Sequence, residues 1–218
     1  MPEESDIVRS IYRAEVTPDA SIETCVKAVD QLQNQMDTQL TLSLFRWEAM
    51  LFLYVESAGS SVSPEDLLGD LDGSLQTWPS GSSDVRHWVP MMDIFHYSQP
   101  QDVDHWRRKT VVEMPFGSVV RLRPEKVSSY IFYHYQLQEE RPGTGNKYGL
   151  IGLHEDVLFF YQERPSVSEE TPAQPSLKTS NTPPNWPELM SQHFAPWPDP
   201  GKPEWRPATL LASIGLPE

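Results

Sequence analysis

The 218-residue chain carries 17 Lys/Arg against 31 Asp/Glu, a formal net charge of −14, and 21 prolines. This acidic balance argues against nucleic acid or an anionic membrane as a partner. A hydrophobic content of 38% with 7 Trp, 8 Tyr and 8 Phe is enough to fill a core and argues against global disorder. The acid is concentrated early: residues 1–100 hold 5 Lys/Arg against 16 Asp/Glu, and residues 101–218 hold 12 against 15. The one cysteine, Cys25, excludes an internal disulfide and a thiolate metal cluster, and its apolar neighbours predict a buried, inert thiol. MPEESDIVRS at the N-terminus lacks the apolar stretch of a secretory signal, and no apolar run reaches the length of a membrane span. The expected setting is cytoplasmic.

In chain order, the first predicted element is a strand near 8–16. A helix follows over 19–34, opening at Pro18-Asp19, since proline and an acid suit a first helical turn. A hairpin of 40–46 with 50–56 turns about RWEA, a second helix spans 65–77, and a strand covers 90–97. Polar residues 99–110 read as a linker. The series then recurs: a strand at 111–123, a helix at 125–139 opening at Pro124-Glu125, and a hairpin of 146–153 with 157–163 about HEDV. A helix at 186–195 and a strand at 207–214 complete it. The recurrence is visible in the residues themselves. EAMLFLYVES (48–57) and EDVLFFYQER (155–164) share E-x-x-L-F-x-Y-x-E at an offset of 107. LQTWP (75–79) matches FAPWP (194–198), and HWVPMMDIFHYS (87–98) matches EWRPATLLASIG (204–215) through W-x-P.

Matching pieces in the same order predict an internal duplication. The expected fold is α+β: two tandem ferredoxin-like βαββαβ repeats, at 1–98 and 111–218, forming a single-chain pseudo-dimeric α+β barrel. Each repeat would cover the open sheet face of the other. The second repeat carries a Pro/Ser/Thr-rich insertion at 164–187, whose composition predicts a mobile loop.

Function is expected where the copies diverge, and helix one diverges most. The second copy has Tyr130, Tyr133, His134 and Tyr135 where the first has Thr24, Lys27, Ala28 and Val29. Tyr130 and His134 are four apart, hence on one helix face. A hydroxyl beside an imidazole can act as an acid/base pair near neutral pH. The same spacing equally describes amphipathic side chains packed on a sheet. His96, in the strand DIFHY, could point into the barrel. His154 falls at a hairpin tip, His105 in the linker, and His87 and His193 beside tryptophan motifs, all read as structural or surface. There is no H-x-x-x-H, H-x-H or C-x-x-C pair, so no metal site is expected. No G-x-S-x-G, Walker loop or G-x-G-x-x-G occurs, and PGTGNKYG (142–149) lies between a helix and a strand, the wrong order for a phosphate cradle.

The second half resembles the L-rhamnose mutarotase family of the dimeric α+β barrel superfamily. The resemblance rests on VVRLRPEKVSSY, on Tyr130-x-x-x-His134, and on KYGLIGLHEDVLFFYQE, and spans about residues 118–214. It implies that His134 exchanges a proton, with Tyr130 beside it, and that Tyr148 stands at the start of strand two. Tryptophan in or after helix two matches Trp186, Trp197 and Trp205. With Tyr133 and His96, the residues Tyr148, Trp186 and Trp205 form the candidate substrate-binding set. The implied reaction opens a hemiacetal ring, rotates the aldehyde and recloses it, needs no cofactor, and takes a monosaccharide such as L-rhamnose. The chain departs from the family after the histidine, where Tyr135 and Gln136 stand. Two other classes fit the same fold: a non-catalytic barrel that binds a small molecule or a partner, and a cofactor-independent monooxygenase-type barrel. A monomeric pseudo-dimer or a homodimer is expected.

Overall fold

The computed structural model describes residues 7–18, 20, 23, 26–29, 31, 40–69, 71, 73–79, 85–199 and 204–217. Its strands are β1 (Ile7–Glu15), β2 (Leu40–Trp47), β3 (Met50–Ala58), β4 (Val89–His96), β5 (Met114–Arg121), β6 (Leu150–His154), β7 (Val157–Arg164) and β8 (Arg206–Ile214). Its helices are α1 (Pro64–Leu68), α2 (Val103–Trp106), α3 (Val127–Glu140) and α4 (Trp186–Ser191), with a 3-10 turn, Pro124–Lys126, leading into α3. The helix expected at 19–34, and Cys25 with it, lies mostly outside the described residues. Among the described residues no helix is long and apolar enough to cross a membrane.

The expected pair of ferredoxin-like repeats, forming a pseudo-dimeric α+β barrel, is not what the chain builds. The eight strands form one closed barrel in the order β1-β3-β2-β8-β5-β7-β6-β4, and each strand pairing described in register is antiparallel. Two physical reasons account for the difference. The second helix expected in each repeat is short, five residues at Pro64–Leu68 and six at Trp186–Ser191. Ser63 caps α1 by accepting from the Asp66 N–H and Pro64 starts it, but Gly69 at φ 59°, Leu71 at φ 51° and Gly73 at φ 75° end it after five residues. In addition, strand four does not stop at the edge of its own sheet. β4 pairs with β1 through residues 89–91 and with β6 through residues 92–96.

The chain divides into two compact units. The first comprises residues 1–91, 100–115 and 208–218. In it β1 pairs with β3 along nine residues, from Ile7↔Ala58 to Glu15↔Met50, and β2 pairs with both β3 and β8. Leu51, Leu53 and Val55 of β3 join Leu42 and Leu44 of β2, Leu68 of α1, Leu75 and Trp88 in one apolar cluster. Phe52, Tyr54 and Glu56, on the opposite face of β3, are also buried. Burial on both faces explains why this strand reads as a continuous apolar run. Gly215, at φ 76°, ends β8 against β2, where a Cβ would collide with the Leu40 carbonyl.

The second unit comprises residues 92–99 and 116–207. Here β6 and β7 form a hairpin, and Leu158, Val120, Leu122, Ile151 and Leu153 pack with Tyr130, Met190 and Phe194. The two hairpins turn alike: Glu48 and Glu155, 107 positions apart, take φ 52° and 55°. Two-residue hairpin loops demand such left-handed backbone.

Candidate functional site

The candidate residues sit in the second unit, on the buried face of α3. Tyr130 and His134 are 1% and 5% exposed, whereas Phe132 and Tyr135 on the opposite face are 59% and 52% exposed. The 3.6-residue period therefore splits the aromatic run YIFYHY into an inner and an outer set. His134 Nδ1 lies 3.0 Å from the Tyr130 carbonyl oxygen. That contact assigns the proton to Nδ1, which donates, and leaves Nε2 as the free acceptor.

Aromatic rings enclose the imidazole. The Tyr130 ring lies 4.0 Å away, centroid to centroid, tilted by 30°. Phe95 of β4 meets it edge-on at 5.2 Å, and Trp186, at the start of α4, at 5.0 Å. Removal from water disfavours the imidazolium and holds His134 down at about 4, with the neighbouring His193 adding to the effect and the Tyr130 carbonyl opposing it. Burial also pushes the Tyr130 hydroxyl well above the ordinary tyrosine range, helped by Tyr97 nearby. At neutral pH both groups are uncharged.

The remaining candidates distribute as follows. Tyr133 is partly buried and meets His193 edge-on at 5.8 Å. Trp205 packs on Phe160 at 6.0 Å and on Phe194 at 5.9 Å, and Phe194 in turn lies 5.9 Å from Tyr130. Trp205 is thus one ring removed from the Tyr130/His134 pair. Tyr148 is buried in the loop entering β6, where its N–H donates to Asn146 Oδ1 at 3.2 Å. His96 turns elsewhere, its Nδ1 2.8 Å from Asp93 Oδ2. A register shift between Asp93 and Phe95 changes the parity of β4, and Phe95 is the residue that meets His134.

Phe95 is a contributor that sequence does not reveal, because its position depends on that bulge. His193, expected to be structural or surface, is structural, 2% exposed and 5.8 Å from the Tyr130 ring. Its Nδ1 is 2.8 Å from the Leu189 carbonyl and its Nε2 3.0 Å from Ser129 Oγ, so it ties α4 to α3. His193 lies in the turn that follows α4, beyond the reach of a helical-period argument.

The insertion at 164–187 also differs from expectation. Instead of hanging free, it is bonded to the C-terminal end of α3. Glu139 and Glu140 stand there, where the helix dipole disfavours anions, and the insertion supplies donors. Glu140 accepts from Thr179 Oγ1 at 2.5 Å, from the Asn181 N–H at 2.8 Å, and from the Thr182 N–H and Oγ1 at 2.9 and 2.5 Å. The Leu177 N–H donates to the Glu139 carbonyl at 3.2 Å and Ser176 Oγ to its carboxylate. Desolvation would raise the Glu140 pKa, but these donors hold it well below the usual carboxylate range. Lys147 reaches Glu169 at 3.3 Å from the other side. The segment so fastened leads directly into Trp186.

Among the described residues no group of three or more His, Cys, Asp or Glu is placed to hold a metal ion. No protein-family model and no curated protein matches the chain. One solved structure resembles it over 96% of this chain and 94% of its own, with 8% identity and a TM-score of 0.44. That protein, from Fusobacterium nucleatum subsp. nucleatum, carries a provisional monooxygenase name.

Proposed function

We propose that the chain binds a small, flat, largely apolar molecule at the His134 cluster, with Nε2 accepting a hydrogen bond from a ligand hydroxyl. The carrying observation is the enclosure of a neutral histidine by the rings of Tyr130, Phe95 and Trp186 at 4.0, 5.2 and 5.0 Å. Aromatic edges and faces favour flat partners. Proton transfer is most efficient when a base titrates near the working pH. An imidazole held at about 4 is better suited to accept a hydrogen bond than to remove a proton at pH 7. Neither reading requires a cofactor. The single cysteine supports a cytoplasmic setting.

Sugar mutarotation is the second reading, favoured by the one-turn spacing and the 4.0 Å approach of Tyr130 and His134. His134 would exchange the proton and Tyr130 would bond sugar hydroxyls. Saturation-transfer NMR separates the two. With wild type, the α and β anomers of L-rhamnose should exchange no faster than in buffer, and 2-naphthol should receive saturation that Trp186→Ala abolishes. Faster anomer exchange, lost in His134→Ala, would establish the second reading in place of the first. Absence of any contact with 2-naphthol would sink the first.

A further inference from the structure

A different feature of the first unit carries an inference that is independent of His134. A cavity of about 550 Å³ opens there among β1, β2, β3, α2 and the residues that follow β8. This lies within the span of small-molecule pockets, about 300–1,000 Å³. Ile7, Ala58, Val103, Leu216 and Pro217 give it aliphatic walls, with Trp106 beside them. The apolar surface continues outward. Val103 is 41% exposed and Val111 53%. The Val112 N–H donates to the Pro217 carbonyl at 3.0 Å, which holds residues 111 and 112 next to the rim. Apolar surface left in water is unfavourable in proportion to its area.

The polar side chains that line the cavity are engaged with partners inside the protein. Arg108 donates to Glu56 through both terminal nitrogens, at 2.5 and 2.7 Å. The Trp106 indole N–H donates to the same carboxylate at 3.0 Å, as does the Tyr54 hydroxyl. Burial alone would favour the protonated acid, but Arg108 and these donors keep Glu56 below the usual range. Carboxylate and guanidinium therefore cancel within the wall. Arg107 pairs with Asp104 at 3.0 Å and, with its side chain 69% exposed, keeps its charge hydrated at the mouth. Thr41 Oγ1 donates to the Gly215 carbonyl at 3.4 Å. A charged group carried into this cavity would lose its hydration and find the wall's own charges already paired. An aliphatic body loses no hydrogen bond there and takes both apolar surfaces out of water.

We infer that this cavity is a binding site for an uncharged aliphatic small molecule, a compact hydrocarbon body carrying at most a neutral polar group. The probe is 1-adamantanol, titrated against the full chain and followed by saturation-transfer NMR. Saturable binding is expected. The same cage as 1-adamantanecarboxylate and as 1-adamantylammonium tests the absence of charge from both signs. Each should bind at least about tenfold more weakly than the alcohol. Val103→Glu and Leu216→Glu place a carboxylate on two separate walls and should each weaken 1-adamantanol about tenfold. Val103 opens α2 and Leu216 follows β8, so both changes lie outside the strands and the fold should tolerate them. The comparison of the three probes uses the wild-type chain and stands even where a variant fails to fold. The proposal is overturned if 1-adamantanol shows no saturable binding, if either charged cage binds as tightly, or if neither variant weakens the alcohol.

Discussion

Burial of His134 should be readable as a pH dependence of stability. In the unfolded chain its imidazole titrates at the ordinary 6.5, and in the folded protein at about 4. Between those values the unfolded state binds more protons, so stability must rise with pH. The contribution is therefore fully present above about pH 6.5 and fades as pH falls toward 4. Over the whole interval the difference amounts to about 3 kcal/mol, and between pH 7 and pH 5 to about 2 kcal/mol. His134→Phe keeps a ring among Tyr130, Phe95 and Trp186 but has nothing to protonate. Urea unfolding of both proteins at pH 7 and pH 5 gives the test. Wild type should lose about 2 kcal/mol more than the variant over that interval. Other acid-sensitive groups contribute equally to both proteins and cancel. Equal losses would refute the reasoning, because they would mean that His134 meets solvent in the folded state.

Two further outcomes follow from the buried networks. Arg108→Met removes the bidentate partner of the buried Glu56 carboxylate, to which Trp106 and Tyr54 still donate, and should destabilise the protein by about 3–5 kcal/mol in urea unfolding. The double change Glu56→Leu with Arg108→Met should lose clearly less than the single one, and an additive double mutant would show that the pair is not coupled. Glu140→Ala removes the acceptor shared by Thr179, Asn181 and Thr182, so cleavage by a nonspecific protease within 164–187 should accelerate, with no such change for Glu188→Ala on α4.

Much of the local structure was legible because local rules wrote it. The two E-x-x-L-F-x-Y-x-E stretches became β3 and β7, the turns RWEA and HEDV became the hairpin loops, and Pro124-Glu125 opened the turn into α3. Tyr130 and His134 were paired correctly from spacing alone, since one helical turn decides that contact. What escaped depended on partners distant in sequence. No local pattern reveals that β4 continues from β1 to β6, and that continuation separates a closed barrel from two ferredoxin-like repeats. Nor does composition tell a free loop from one whose hydroxyls find carboxylates: Thr182 lies 42 positions from Glu140. Glu56 and Arg108, 52 apart, are a further instance. In each, the residue types were visible and the pairing was not.

The origin of Arg108 bears on how this chain can be taken apart. It belongs to the stretch that reads as a spacer, yet it supplies the counter-charge for Glu56 on β3. A fragment ending at residue 98 would lose Arg108 from Glu56 and β8 from β2. The first unit draws on three separate stretches of chain and the second on two, so no single cut releases either one whole. The shared strands and the Glu56–Arg108 pair tie these stretches together. For protein engineering, the independent modules are then the whole chain and nothing smaller, and swapping halves between homologues would carry each half's debts into a foreign partner.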